Sequence, residues 1–283
     1  MTVTIGENRY GKSRVRMIKV DRQGAQHRVF EWSVEVWLKG DFKDCFENGD
    51  NSAILPTDTM KNTVYSVGRD SKAQTMEGFA MELVRHFIDT QPQVDEAGAK
   101  ITGTRWNPIT AGGTVHGDAF VQSGSATDTT QVTLRRGGEA SVASGVTNLV
   151  ILKTAKSAFA GYLKDRLTTL KETGDRLLGT SATAEWKFAT AHCDCAATRS
   201  RIVDSLLNAF ARHDSLSVQQ TLYAMGQAAL AAAPEVSEIF LSMPNKHCNL
   251  VDLSAFGQDN PNCIFVPTDE PHGSIEAWVR REN

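Results

Sequence analysis

Five short polar segments carry the side chains of this sequence that could do chemistry. They lie where regular elements are expected to begin or end, at residues 10–16, 56–63, 167–176, 217–220 and 241–247. Together they supply amine, hydroxyl, guanidinium, amide and imidazole groups, which suit proton transfer and the binding of a flat polar ring. Taken singly, each segment fits a structural role equally well, as a basic strand entry, a helix cap, a solvated loop or a turn.

Familiar cofactor and metal motifs contribute little to the interpretation. Gly137-Gly138 lies between expected strands rather than before a helix, so we expect no phosphate-binding loop there. The segment His192-Cys193-Asp194-Cys195 groups several ligand types, but it lacks the second spaced pair that zinc sites use. We therefore expect no metal site in it. His86 is expected to be a structural or surface histidine.

Composition limits the class of protein. The chain has 283 residues, enough for about two domains, and its 41% hydrophobic and 22% charged residues are typical of a globular protein. A net charge of −3 argues against a nucleic-acid partner, and no apolar run is long enough for a membrane span. The five cysteines are an odd count in a long chain, so a disulfide framework is not expected.

Targeting signals are also absent from the sequence pattern. The N-terminal residues lack the charged and apolar regions of a signal peptide, and Arg281-Glu282-Asn283 is not a peroxisomal tripeptide. A cytoplasmic location is therefore expected.

The first half of the chain predicts strands, then two helices, then strands. Val29–Lys39 alternates apolar and polar residues, as a half-buried antiparallel strand does, and Val15–Asp21 is its expected partner across a turn at Gly24. One helix is predicted over Thr57–Val67, with Thr57 or Asp58 as its N-cap. The remaining elements are a helix at 76–87, an extended segment at 99–107, and turns and loops around one short strand at 111–128.

The second half repeats this plan. A helix is predicted to open at Ser217, where Gln220 completes a capping box, and to end at Pro234. The other expected elements are strands at 130–136, 146–153, 184–191, 236–243 and 263–266, and a helix along 202–210. This order favours an α+β fold with antiparallel sheets and paired helices.

Taken together, in their order and spacing, the five polar segments resemble those of urate oxidases (uricases), from Tyr10 to about His247. The resemblance implies two tandem tunnelling-fold (T-fold) domains, here placed at residues 1–125 and 126–283, whose barrel closes on oligomerisation. It implies oxidation of urate by O2 and water to 5-hydroxyisourate and hydrogen peroxide without a cofactor. It also implies a homotetramer with active sites shared between subunits.

The resemblance further assigns roles to individual residues. It implies a proton relay of Lys12, Thr57 and His247, and an Arg176–Gln219 clamp on a purine stacked against Phe159. Asn245 would hold oxygen or water above the purine, and Leu170 would form an apolar wall. Backbone contacts with the purine are implied for Asp58 and Val218.

Two other functions stay open at this stage. One is a different T-fold enzyme acting on a pterin or purine, some of which hold zinc with several histidines. The other is a purine-binding protein without catalytic activity. The single, dispersed histidines disfavour the first, and the presence of Lys12, Thr57 and His247 disfavours the second.

Overall fold

The computed structural model describes residues 3–191 and 194–282. Its strands, in chain order, are β1 (Tyr10–Asp21), β2 (Arg28–Gly40), β3 (Val94–Thr104), β4 (Trp106–Ala111), β5 (Thr114–Gln122), β6 (Thr127–Arg135), β7 (Ala140–Lys153), β8 (Leu178–Phe188), β9 (Val236–Ser242), β10 (Asn245–Leu250), β11 (Phe265–Gly273) and β12 (Glu276–Arg280). Its helices are α1 (Lys43–Asn48), α2 (Thr57–Asp70), α3 (Met76–Thr90), α4 (Cys195–Arg212) and α5 (Val218–Ala232). The predicted α+β class is confirmed.

The chain divides into two compact units. The first consists of the described residues of Met1–Gly145 and Lys187–Ala196, and the second of those of Val146–Trp186 and Ala197–Asn283. The boundary between residues 125 and 126 stays a prediction about the tandem repeat.

The first unit is an antiparallel sheet covered by helices. Its strands follow the order β1-β2-β3-β6-β7, and α2 contacts β1 while α3 contacts β3 and β6. On β2 the residues Trp32, Val34, Val36 and Leu38 are buried, so the predicted alternation is confirmed. Burying side chains of this size contributes about 1.5–3 kcal/mol each, and this face holds the sheet against its helices.

One side chain on the opposite face of β2 is buried as well. Trp37 is 5% exposed and lies opposite Gly11 of β1 and Gly98 of β3. A Cβ atom on Gly98 would stand 2.0 Å from the Trp37 ring, and one on Gly11 would stand 2.0 Å from the carbonyl oxygen of Val36. Glycine at both positions therefore gives the backbone and the indole the room they need. The arrangement fixes the register of β1 next to Lys12.

The second unit is also an antiparallel sheet with two helices. Strand β8 pairs with both β9 and β10, β10 pairs with β11, and β9 pairs with β12. Helix α5 contacts β9 and β12, and Gly226 approaches β12 so closely that a Cβ atom would stand 2.5 Å from Val279. The core includes Trp186, Ile202 and Leu222, all nearly inaccessible to solvent.

Most predicted elements are present, with several corrections. Pro56, not Thr57 or Asp58, is the N-cap of α2, because its extended backbone (ψ 137°) precedes a helix that already includes Thr57. The region 111–128, predicted as loops around a short strand, contains most of the β4–β5 hairpin. The strand predicted at 184–191 ends at Phe188, and β11 begins after the predicted start at Cys263. Strands β10 and β12 were not predicted, because neither alternates clearly.

Helix α5 begins as predicted, with a change in its cap. The Ser217 hydroxyl accepts a hydrogen bond from the backbone N–H of Gln220 at 3.1 Å. The Gln220 side chain accepts one from the N–H of Leu216 at 2.9 Å, one residue before the partner that a standard capping box uses.

Because Trp37 packs directly against Gly98, one methyl group added at Gly98 should destabilise the protein strongly. Gly98→Ala forces the buried indole to move, so the free energy of unfolding should fall by about 1–3 kcal/mol, the usual cost of overpacking. Urea denaturation followed by circular dichroism measures the change. Gly138→Ala is the matched control, because its Cβ atom would meet its nearest neighbour at an ordinary 3.5 Å. Equal stability of the two variants would contradict this account of the sheet.

Candidate active site

Lys12 is placed by the first strand of the first unit. It is half-buried on β1 opposite Val36, and the register shifts between Lys12 and Val15. Within this bulge Arg14 adopts a left-handed backbone conformation (φ 59°), which is costly for a residue with a Cβ atom. Bulges of this kind occur next to active sites, where they redirect side chains. Lys12 is thus the last residue of β1 before the strand bends.

Thr57 and Asp58 form the first turn of α2 in the same unit. Thr57 is half-buried and Asp58 is exposed. Lys61 lowers the pKa of the Asp58 carboxyl through a hydrogen bond and its charge, and the charge of Lys12 lowers it further. The Lys12 amine therefore lies near the N-terminus of α2. The positive end of the helix dipole at this point favours an anionic ligand.

The segment that carries Phe159 is tied to the segment that carries Arg176. Phe159 and Thr173 exchange two backbone hydrogen bonds, of 2.9 and 3.1 Å. The carboxylate of Asp175 accepts a hydrogen bond from the N–H of Ser157 at 3.1 Å. Two irregular segments are therefore joined at two points, and Phe159 is held close to Arg176.

The Arg176 guanidinium is partly buried and incompletely hydrogen-bonded. Its central carbon lies 5.3 Å from the centre of the Phe159 ring, within the range of a cation–π attraction. Its Nε atom is buried and has no hydrogen-bond partner among the described residues. Burial lowers the pKa of the Arg176 guanidinium, because the charged form loses solvation. Buried donors are rarely left unpaired, so this Nε atom has an unused capacity to donate a hydrogen bond.

The ring of Phe159 is supported from one side. Tyr162 stacks on it with ring centres 4.9 Å apart and planes at 16°, and the Tyr162 hydroxyl donates to the carbonyl oxygen of Leu170 at 2.6 Å. These contacts fix the aromatic surface and the neighbouring loop together.

Asn245 and His247 lie on β10, and Val218 and Gln219 on the first turn of α5. Asn245 is 9% exposed, between Thr180 of β8 and Gly273 of β11, and His247 is half-buried opposite Thr268. Val218 is buried, whereas Gln219 is exposed. The start of α5 thus presents an amide side chain to solvent beside helical N–H groups.

Five of the residues singled out from the sequence meet in one cavity of the second unit. The cavity has a volume of about 150 Å³ and is lined by Phe159, Leu170, Arg176, Asn245 and His247 together with Lys171, Thr173, Leu177, Lys246, Cys248 and Asn249. Val218 and Gln219 belong to the same unit but lie outside this lining. Lys12, Thr57 and Asp58 belong to the first unit.

Several residues of this region were not predicted. Tyr162 and Cys248 support or line the cavity but lie outside the five polar segments, and Asp175 lies within the segment 167–176 without having been given a role. The position of Asp175 next to Arg176 is the one available signal, since a carboxylate beside a candidate ligand-binding arginine can position it.

Sequence motifs for binding phosphate or a metal ion find little support in the fold. Residues 6–13, Gly-Glu-Asn-Arg-Tyr-Gly-Lys-Ser, do fit the spacing of a phosphate-binding loop, but they lead into strand β1 instead of a helix. Over residues 3–191 and 194–282, no group of three or more His, Cys, Asp or Glu side chains could hold a metal ion. His192 and Cys193, considered above, lie outside the described residues. No helix in the described part of the chain is long and apolar enough to cross a membrane.

Comparisons with known proteins match almost the whole chain. The uricase family model matches residues 8–133 and 142–276. A uricase of Arthrobacter globiformis is 40% identical over 280 residues, which cover 99% of this chain and 91% of the relative. A uricase of Dictyostelium discoideum is 34% identical over 283 residues, covering 99% and 98%. The crystal structure of the Arthrobacter globiformis uricase superposes with a TM-score of 0.95 at 39% identity, covering 100% of this chain and 96% of that one.

The fold and the matched segments define an α+β protein of two tandem T-fold domains, as predicted. The chain belongs to the uricase family. A uricase from Bacillus fastidious, with a TM-score of 0.85 at 23% identity and coverage of 96% and 93%, shares the fold.

The Nε of Arg176 is buried without a partner among the described residues. We therefore expect that replacing this side chain does not lower the free energy of unfolding. Arg176→Met removes a desolvated charge that makes no ion pair in the described chain, so the ligand-free protein should unfold with an unchanged or higher free energy. Arg105 is the matched control: it is also half-buried, but its Nε donates to Asp128 at 2.8 Å and Asp128 raises its pKa. Arg105→Met should therefore cost about 1.5–3 kcal/mol. Chemical denaturation measures both, and an equal loss in the two variants would mean that Arg176 is structural.

Proposed function

We propose that this chain oxidises urate with O2 and water to 5-hydroxyisourate and hydrogen peroxide. The observation that carries the proposal is the buried Nε of Arg176, unpaired among the described residues, on a side chain that lines a cavity together with residues that the family resemblance selects for the purine site. Membership of the uricase family supports the same substrate. An arginine fork is suited to the edge of a planar anion.

In the proposed binding mode Arg176 and Gln219 bind the polar edge of urate. Gln219 offers one donor and one acceptor, which suits an edge of mixed polarity. The Val218 N–H at the start of α5 adds a donor, and the helix dipole favours the negative charge of the urate anion there. The Phe159 ring provides the apolar surface on which the purine stacks. Leu170 forms a wall of the same cavity.

The proposed proton relay runs through Lys12, Thr57 and His247. A hydroxyl is a weak base by itself, so the neutral Lys12 amine accepts the proton of the Thr57 hydroxyl while that oxygen takes a proton from urate. The His247 imidazole has one ring nitrogen that can accept a proton and one that can donate it, so it passes the proton on. The Asp58 N–H holds the substrate beside Thr57, and Asn245 holds oxygen or water above the ring.

This relay accounts for the oxidation without a cofactor. Removal of the proton leaves an electron-rich urate dianion that can give two electrons in succession to O2 directly. Oxygen is reduced to peroxide, and water supplies the hydroxyl group of the product. No flavin, haem or metal is needed in this scheme.

The assembly proposed with this function is a homotetramer with shared sites. Lys12 and Thr57 belong to one compact unit and Arg176, Gln219 and Phe159 to the other. β1 and β11 are the terminal strands of the sheet order. Each exposes an apolar side chain: Ile18 on β1 is 64% exposed, and Val266 on β11 is 51% exposed. Exposed strand edges favour pairing with another chain. Lys12 and Thr57 of one subunit would then face the clamp and His247 of its neighbour.

A cytoplasmic location is part of the proposal. Cys45, Cys248 and Cys263 are thiols, which suits a reducing compartment. Neither a nucleic acid nor a membrane is needed as a partner.

Urate turnover by metal-free protein tests the proposed function. After exhaustive chelation, the protein in air should abolish the urate absorbance band and consume oxygen while peroxide accumulates. Loss of turnover on chelation, with recovery when one metal is added back, would contradict the mechanism. No turnover by the correctly folded parent protein would contradict the function itself.

The relay variants refine this test. Thr57→Ala and Lys12→Met should each lower kcat by about 10²–10⁴, the range for a lost general base, and the double variant should fall little further. Thr63→Ala, two turns along α2 with its hydroxyl bonded to the carbonyl of Thr59, is the control that should retain activity. Fully additive losses would show that Lys12 and Thr57 do not act as a unit.

Mixed oligomers test whether sites are shared. Co-expressing a Thr57→Ala chain with an Arg176→Ala chain should restore activity, because one kind of mixed site combines an intact relay with an intact clamp. Mixing Thr57→Ala with Lys12→Met should restore none, since every site then has a damaged relay. If demonstrably mixed oligomers of the first pair stay inactive, shared sites are ruled out.

A further inference from the structure

A single hydrogen bond joins the two chain segments that carry Lys12 and Thr57. Tyr10 lies two residues before Lys12, and Leu55 lies two residues before Thr57. The backbone N–H of Leu55 donates to the phenolic oxygen of Tyr10 at 2.9 Å. The bond therefore spans from strand β1 to the segment that enters helix α2, close to both residues of the proposed relay.

The strand geometry places this bond on the side of the Lys12 amine. Residues two apart on a strand project to the same face, and the register of β1 is regular from Tyr10 through Lys12. The side chains of Tyr10 and Lys12 thus leave the same face of β1. The effect of the Lys12 charge on Asp58 shows that this amine approaches the start of α2.

The Tyr10 ring is itself held firmly. It meets Phe42 edge to face, with ring centres 4.9 Å apart and planes at 83°, and Phe42 is only 1% exposed. Burial raises the pKa of the Tyr10 phenol, so the group stays neutral. The acceptor oxygen is therefore fixed to the core of the first unit.

The segment that receives this bond is irregular. Residues 49–56 form turns and extended backbone between α1 and α2, and they are held by individual hydrogen bonds such as that from the Gln93 amide to the carbonyl of Ala53 at 3.2 Å. The Leu55–Tyr10 bond lies two residues before Thr57, closer in sequence than the Ala53 bond. Its loss would let the start of α2 shift relative to β1.

We infer that Tyr10 is a positioning residue that sets the distance between the Lys12 amine and the Thr57 hydroxyl. The inference rests on the proposed function, since it concerns the geometry of the same relay. Proton transfer is sensitive to such geometry, and a misplacement of about 1 Å can cost about 10²-fold in rate.

The test is Tyr10→Phe, which keeps the ring against Phe42 and removes only the acceptor. We expect kcat for urate to fall by about 10- to 100-fold, while KM changes little because the clamp lies in the other unit. Tyr65→Phe is the matched control: its hydroxyl also reaches from α2 to β1, donating to the carbonyl of Arg16 at 3.4 Å, but it is exposed and joins α2 eight residues after Thr57. This control should keep the parent kcat.

A double-mutant cycle separates positioning from a general structural effect. When Lys12→Met has already removed the amine, adding Tyr10→Phe should lower kcat no further. Melting temperatures are measured for all four proteins, and rates are compared well below the lowest of them. An unchanged kcat in Tyr10→Phe, or an equal loss in both backgrounds, would overturn the inference, as would a variant that cannot fold.

Failure of the Tyr10 role can be distinguished from failure of the proposed function. If the parent protein turns over no urate, the proposed function is wrong, and the double-mutant cycle has no activity to measure. If the parent is active and Tyr10→Phe equals it, the function stands and the role of Tyr10 fails.

Discussion

The arrangement of the second unit depends on keeping the Arg176 guanidinium partly out of water without a complete set of acceptors. Desolvating a charge is unfavourable, and leaving a donor unpaired adds to that cost. The segments around Arg176 are tied to each other by the Phe159–Thr173 bridge and the Ser157–Asp175 bond. A binding site built in this way is organised before the ligand arrives, so less of the binding free energy is lost to ordering.

The first unit solves a different problem, which is to bring an amine and a hydroxyl from two distant segments together. Glycines on both sides of Trp37 let the strands approach, and the bulge after Lys12 interrupts the regular pairing of β1 until Val15. On the other side, Pro56 starts α2 so that Thr57 is in its first turn. Backbone features therefore decide where Lys12 and Thr57 stand.

Much of this fold can be predicted from local pattern, and the failures have physical causes. The long alternation of β2 and the apolar stripes of α3 and α5 are strong signals because one face of each is buried. Strand β12 has a single buried residue, Val279, and β10 pairs with β8 only at Asn245 and Lys246, so their patterns carry little information. The site residues could be selected only as a set, through the resemblance of five segments. The burial of Arg176 depends on contacts with residues distant in sequence, which no local pattern encodes.

The most direct test of the account is a crystal structure of this protein with a non-reactive urate analogue. The account predicts that the analogue stacks on Phe159 and that Arg176 Nε donates to it within about 3.2 Å, the usual limit of such a hydrogen bond. Thr57 of a neighbouring subunit should face the opposite side of the same ligand. An analogue bound elsewhere, with Arg176 Nε still unpaired, would contradict the central claim.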